Sequence, residues 1–198
     1  MRPVLAAAFG LALAAPALAQ APEGTPTRIR GAIERVEGQT LVVRTAAGRD
    51  VAVAMGPGFP VSAVVKRSLS DIKAGDFIAS TSVRREDGRL HALELHFLPP
   101  TAREGQTPYD LAPESLMTNA RIAGIAAAPQ GQVLKVTYGG TEAEIVVGPD
   151  VPVVAAVPAD ASLLRPGAAI FVAGMRRPDG TVVGTRATVE KDGVKPPM

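Results

Sequence analysis

The stretch Asp71-Ile72-Lys73-Ala74-Gly75-Asp76-Phe77-Ile78, followed by Arg84-Arg85-Glu86-Asp87-Gly88, returns as Leu163-Leu164-Arg165-Pro166-Gly167-Ala168-Ala169-Ile170 followed by Arg176-Arg177-Pro178-Asp179-Gly180. Gly75 to Gly167 and Gly88 to Gly180 are both 92 positions apart, so two independent punctuation points share one register. The chain is therefore a duplication. One copy is expected over residues 28–98 and the other over residues 119–193, each roughly 70 residues, an ordinary size for a small domain.

Outward from that stretch, alternation is the dominant signal. Ile29, Gly31 and Ile33 alternate with Arg28, Arg30 and Glu34, which suits a strand with one wet face. Glu37-Gly38 turns the chain into Leu41, Val43 and Thr45, and Ala46-Ala47-Gly48 turns it again into Val51, Val53 and Met55. Two short connections in a row describe a meander. A β-branched stretch follows at residues 61–65, then a single helical turn at residues 69–74, stopped by Gly75 where a positive φ costs little. Residues 77–83 and 90–98 complete the copy as a hairpin around Glu86-Asp87-Gly88. In the second copy Gly124 is expected to stand for Gly31, Gln130-Gly131 for Glu37-Gly38, and Pro178-Asp179-Gly180 for the last turn. Five or six short strands per copy with almost no helix predict an all-β protein of two tandem OB-like barrels, because closure removes exposed sheet edges. A small sandwich is the alternative.

Residues 1–19 read as a cleaved signal peptide: a basic start at Arg2, an apolar run over residues 4–15, and the small-x-small site Ala17-Leu18-Ala19. A spanning helix wants about 20 apolar residues, and Pro16, Gln20 and Pro22 end this run early. The expected location is the periplasm, with no integral membrane segment after cleavage. Cysteine is absent, which removes disulfides, thiolate nucleophiles and Cys-based metal sites. Without Arg2 the chain carries 20 basic and 19 acidic residues in no like-charged blocks, so nucleic acid is not an expected partner. Residues 20–27 read as a flexible lead-in and 194–198 as a tail.

Residues 99–118 join the copies and carry Tyr109, Leu111, Leu116 and Met117 among four prolines, a mixture of stiffness and apolar anchors. They are expected to pack along the seam between the barrels, the alternative being an extended exposed linker.

Few residues offer chemistry. The two histidines lie in His91-Ala92-Leu93-Glu94-Leu95-His96, where a strand points Leu93, Leu95 and Phe97 inward and Glu94 and His96 outward. Glu94 and His96 could hold a divalent cation only with a third ligand from a neighbouring strand; solvated surface side chains are the simpler reading. Asp71 suits a cap and Asp76 a strand start. Among aromatics, Phe77, Phe97 and Phe171 fall on core positions, and Phe59 in a Gly/Pro loop is a candidate contact residue that could equally fold back. Tyr109, Leu111 and Met117 are candidate contacts at the seam. No nucleophile elbow, Ser-x-x-Lys pair or phosphate-cradling loop occurs, so no catalytic residues and no cofactor are expected.

The Ser70 to Phe77 stretch, the Glu86-Asp87-Gly88 hairpin, the joints Tyr109-Asp110-Leu111 and Met117-Thr118-Asn119-Ala120, and the tail Lys191-Asp192-Gly193-Val194-Lys195-Pro196-Pro197-Met198 together resemble a family of bacterial exported proteins. That family is built from OB-like β-repeats and classed as a domain of unknown function. The resemblance implies the fold and export but carries over no ligand or catalytic residue. Some relatives bear a metal-transporter permease label, which this chain, without spanning segments after the leader, does not fit. The functional expectation is a non-enzymatic periplasmic module that binds an envelope protein or ligand. A periplasmic metal-binding accessory and an unrecognised hydrolase are the alternatives.

Overall fold

The computed structural model describes residues 24–129 and 131–197; the expected signal peptide, residues 1–19, and residues 20–23 of the expected lead-in lie outside them. The protein is all-β. Its strands are β1 (Thr25–Glu37), β2 (Thr40–Thr45), β3 (Asp50–Ala54), β4 (Val61–Arg67), β5 (Phe77–Arg84), β6 (Leu90–Phe97), β7 (Gly105–Pro108), β8 (Leu116–Ala128), β9 (Gly131–Tyr138), β10 (Thr141–Val147), β11 (Val153–Ala159), β12 (Ala169–Arg176) and β13 (Val182–Val189). Single 3-10 turns at Leu69–Asp71 and Ala161–Leu163 take the place of the expected helical turns. No helix among the described residues is long and apolar enough to cross a membrane.

The duplication is visible in the strand bounds. β4, β5 and β6 recur as β11, β12 and β13 with every limit displaced by 92 residues. The same local causes act twice: Gly75 and Gly167 sit at φ of 92° and 87°, a region that a side chain makes costly, and each ends its 3-10 turn and starts a strand.

Strand pairing departs from the tandem expectation. β1 pairs with β2 and with β12, β2 with β3, and β12 with β13. The ring closes where β13 meets β3 in parallel at Val182↔Val53 and Val183↔Ala54. This is the strand order of an OB-like barrel, but its meander comes from the first copy and its hairpin from the second. The other ring joins β8, β9 and β10 to β6 and β5, and closes in parallel at Ile145↔Leu90 and Val146↔His91. Residues 28–98 and 119–193 are therefore repeats in sequence but not barrels in space. The two ends of the chain build one barrel, here the terminal barrel, and the middle of the chain builds the other, the central barrel.

β4 and β11 connect them. They pair antiparallel with each other over seven residues, while β4 runs parallel to β13 and β11 parallel to β6. The exchange follows from these strands: β4 carries the chain out of the terminal barrel after its meander, and β11 brings it back before the final hairpin. All thirteen strands thus belong to one continuous sheet.

Two separate cores match the two rings. Ile33, Leu41, Val43 and Val53 pack with Val172 and Val189 in the terminal barrel. Ile78 and Leu95 pack with Ile122, Leu134, Val136 and Ile145 in the central one. Each such side chain contributes roughly 1.5–3 kcal/mol when fully withdrawn from water, so the alternation seen in the sequence is what sets each strand's register.

Three further expectations change. Thr25, Pro26 and Thr27, read as flexible lead-in, belong to β1 and pair with Arg176, Met175 and Gly174. In the tail, Val194 forms a bridge with Lys191. Gly31 corresponds to Ala120 and not to Gly124, because Gly31 pairs with Ile170 and Ala120 pairs with Ile78, the residue 92 positions earlier.

Candidate functional site

β5 and β6 carry a bulge: Thr81 pairs with Glu94 but Ser82 with Ala92, leaving Leu93 as the extra residue. The duplicate hairpin repeats it between Ala173 and Gly174, with Thr185 as the extra residue. A bulge interrupts the ladder and leaves a backbone group in need of a partner. In the central barrel the partner is Glu94. Its Oε1 accepts from the Thr81 N–H at 2.9 Å and from the Thr81 hydroxyl at 2.5 Å, and its Oε2 meets His96 Nδ1 at 2.9 Å.

Glu94 is fully buried. This corrects the expectation of a wet outer face. Glu94 does point away from the barrel core, but on that side its carboxylate is enclosed with Thr81 and His96, and Met117 lies against Thr81. Tyr109 lies near enough for the carboxylate to affect its ionisation. A buried carboxylate without partners costs several kcal/mol, and three hydrogen bonds offset that cost. The counterpart of Glu94 in the terminal barrel is Arg186, which is exposed.

The loop between β7 and β8 links this region to the other barrel. Tyr109 lies beneath two guanidiniums of β1, Arg28 at 4.4 Å and Arg30 at 5.3 Å from its ring centroid. Arg30 also lies 5.2 Å from the ring of Phe171 on β12, so its planar head sits between two aromatic faces. Asp110 completes the contact, accepting from Arg30 Nη2 at 2.9 Å with Arg28 at 3.6 Å. Burial by itself would raise the Asp110 carboxyl, but the hydrogen bond and charge of Arg30, with Arg28 beside it, hold it below the usual range. Burial pushes the Tyr109 hydroxyl up, and the two arginines offset only part of the rise.

On its other side the connecting segment is fastened to the central barrel. β7 pairs along β8, Gln106 Nε2 donates to the Thr118 hydroxyl at 2.9 Å, and Glu104 reaches both Arg121 and the Gly139 N–H. The turn from Tyr109 to Ser115 closes on itself through the Tyr109 N–H to Ser115 carbonyl bond at 2.7 Å.

Placement of the remaining candidates is mixed. Met117 lies beside Thr81, its sulfur 3.9 Å from the hydroxyl, so it joins the Glu94 region. Leu111 is half-buried in the same loop as Tyr109. Phe59 is not presented outward: it packs against the terminal barrel's core with its ring edge over Gly184, where even a Cβ would collide. Phe77 and Phe171 are buried on the outer sides of their barrels, each under an arginine, Arg121 and Arg30.

Asp71 and Asp76 do local work. Asp71 Oδ2 accepts from the Ser68 N–H in a capping box, and Asp76 Oδ2 accepts from the Lys73 N–H at 2.8 Å. His91 meets Asp87 at 2.9 Å; hydrogen bonds from His91 and from the Arg89 N–H lower the Asp87 carboxyl to about 2. Both histidines therefore touch carboxylates, but among the described residues neither is hydrogen-bonded to a hydroxyl that it could activate. Glu94 and His96 are brought together yet hydrogen-bonded to each other, and no group of three metal-ligating side chains occurs among the described residues.

Sequence reasoning missed Arg28 and Arg30, which the strand pattern marks only as outward-facing. The one available signal was their place on the same strand face, two residues apart, in a chain whose linker supplies Tyr109-Asp110.

Fold and site define an all-β protein of two interlocked five-stranded barrels held by an arginine–tyrosine–aspartate clasp. No family model matches the chain, and no curated protein or solved structure matches it.

Proposed function

We propose that this protein is a non-enzymatic binding or interaction module of the bacterial envelope, exported by its leader and built from two OB-like units. The observation that carries this reading is the use of Glu94. The buried carboxylate beside a histidine, the arrangement closest to acid–base chemistry in the molecule, accepts three hydrogen bonds from Thr81 and His96 and so braces a bulge. Tyr109, Asp110, Arg28 and Arg30 are likewise spent on holding one barrel to the other. A scaffold whose polar groups are committed to rigidity presents its outer surface, including the edge of β7 that pairs with no other strand among the described residues, to a partner.

Photoreactive residues placed at exposed positions on each barrel, with crosslinking in the intact envelope, test this. Reproducible capture of one envelope component from one face is expected. Absence of any specific adduct from every face would overturn the reading.

The contact between Glu94 and His96 favours one second reading, a metal-binding accessory. It requires the pair to release each other and recruit a third ligand. A thermal-shift screen decides it, since an ion bound only by the folded state must raise its apparent stability. No rise with Zn, Cu, Ni or Mn sinks the metal reading.

A further inference from the structure

At the joint where β4 ends and β11 begins, a groove of about 640 Å³ opens between the strands and the C-terminal tail. Lys66 and Arg67 line it from β4, Lys195 from the tail, and Asp150 and Val151 from the loop before β11. The three cations are exposed, and none of them forms an ion pair among the described residues. With one acid against three bases, the groove is locally cationic.

The duplication supplies an internal control. A shift of 92 residues carries Lys66 to Pro158, Arg67 to Ala159, Ser68 to Asp160 and Val151 to Phe59. At that second joint Phe59, Val157 and Ala159 pack onto the terminal barrel's core. The equivalent place is thus apolar and carries no cation from these positions, with an acid, Asp160, at its rim. The same backbone arrangement has been given positive charge and a smaller side chain at one joint only, a difference the fold itself does not require.

We propose that this groove binds a phosphate-class oxyanion, with Arg67 as the bidentate donor and Lys66 and Lys195 as flanking point charges. Aromatic side chains are missing from its lining, so recognition runs through charge and not through stacking. The phosphate can belong to a soluble compound or to a lipid headgroup; both offer the same chemistry. The assignment rests on the binding-module reading in naming a ligand for it. Its failure would leave envelope crosslinks untouched, whereas loss of those crosslinks would not affect anion binding.

The test uses the mature chain and sodium pyrophosphate, followed by amide chemical shifts. Shifts confined to the ends of β4 and β11 and to Val194 and Lys195 are expected, with affinity falling roughly tenfold in the Lys66→Gln/Arg67→Gln double variant. Asp150→Asn should bind more tightly. Arg49→Gln/Arg176→Gln, on a separate groove of the terminal barrel, should bind as the wild type does. Cosedimentation with phosphatidylglycerol and with phosphatidylcholine vesicles separates the sources: retention on anionic vesicles alone, lost in the double variant, assigns a headgroup, and pyrophosphate binding without retention assigns a soluble ligand. Absence of both, or binding unchanged in a double variant whose spectrum remains native, overturns the proposal.

Discussion

The Gly167 N–H donates to the Ile33 carbonyl at 2.7 Å, tying the turn of the second repeat to the meander of the first. Gly75 donates to Ile122 at 2.8 Å in the reciprocal arrangement. Each repeat therefore completes the other. A polypeptide cut at the repeat boundary, residues 24–98, holds a meander and a hairpin that belong to different barrels and is expected to lack cooperative unfolding. A polypeptide of residues 68–155 holds all strands of the central ring and most of its core, and is expected to fold. Urea denaturation of the two fragments checks this; a cooperative transition in residues 24–98 alone would contradict the interlocked topology.

Replacing Glu94 leaves the Thr81 N–H, the Thr81 hydroxyl and His96 without their buried acceptor. Glu94→Ala should cost about 3–5 kcal/mol, the range for breaking a buried polar pair from one side. Glu94→Gln, which keeps the shape and one acceptor oxygen, should cost less. Arg186→Ala at the duplicate position should cost under about 0.5 kcal/mol, since that side chain is exposed. Similar losses at Glu94 and Arg186 would show that the carboxylate carries no special load.

The clasp between barrels should respond to pairwise removal. Arg30 lies between Tyr109 and Phe171 and bonds Asp110, so Arg30→Lys loses the planar stack while keeping the charge. A double-mutant cycle of Arg30→Ala with Tyr109→Leu is expected to give a coupling of about 0.5–2 kcal/mol. Additivity within error would mean the two do not interact in solution.

Asp110 gives a pH dependence of definite sign. Its folded-state carboxyl is held below the ordinary value by Arg30 and Arg28 despite burial. Its stabilisation is therefore fully present above the unfolded carboxylate range and disappears as pH falls through the lowered folded value. Asp110→Asn should flatten the acid limb of the stability curve and leave a residual fall from Asp87, whose carboxyl sits at about 2. Superimposable curves for the variant and the wild type would remove Asp110 from the account.

Gly75→Ala and Gly167→Ala test the duplicated turn. Neither position has an atom within 4 Å of an added Cβ, so the cost is that of the left-handed backbone alone, about 1–2 kcal/mol at each site. Chemical denaturation should return nearly equal losses. A much larger value at one site would reveal a second role for that glycine.

Much of the fold was legible because its causes are local. The Leu41 and Val43 alternation, the Glu86-Asp87-Gly88 turn and the stop at Gly75 each depend on a few neighbouring residues, and the strands lie where those patterns put them. The candidate site was less legible. Strand periodicity placed Glu94 outside its barrel, and it is outside, yet no local pattern announces that the outer side is covered. Phe171 misled in the same way: it is buried, with Arg30 over its ring, yet it does not belong to the terminal barrel's core.

By itself the sequence determined the duplication, the all-β character, and the positions of turns and inward-facing residues, since these follow from backbone sterics and from a period of two. Only the tertiary structure decided which meander closes with which hairpin. Both copies present the same hydrophobic alternation and the same bulge, so either pairing satisfies the local rules. The choice lies in β4 and β11, which lie against each other and carry the chain from one barrel to the other, and so in contacts between residues more than eighty positions apart.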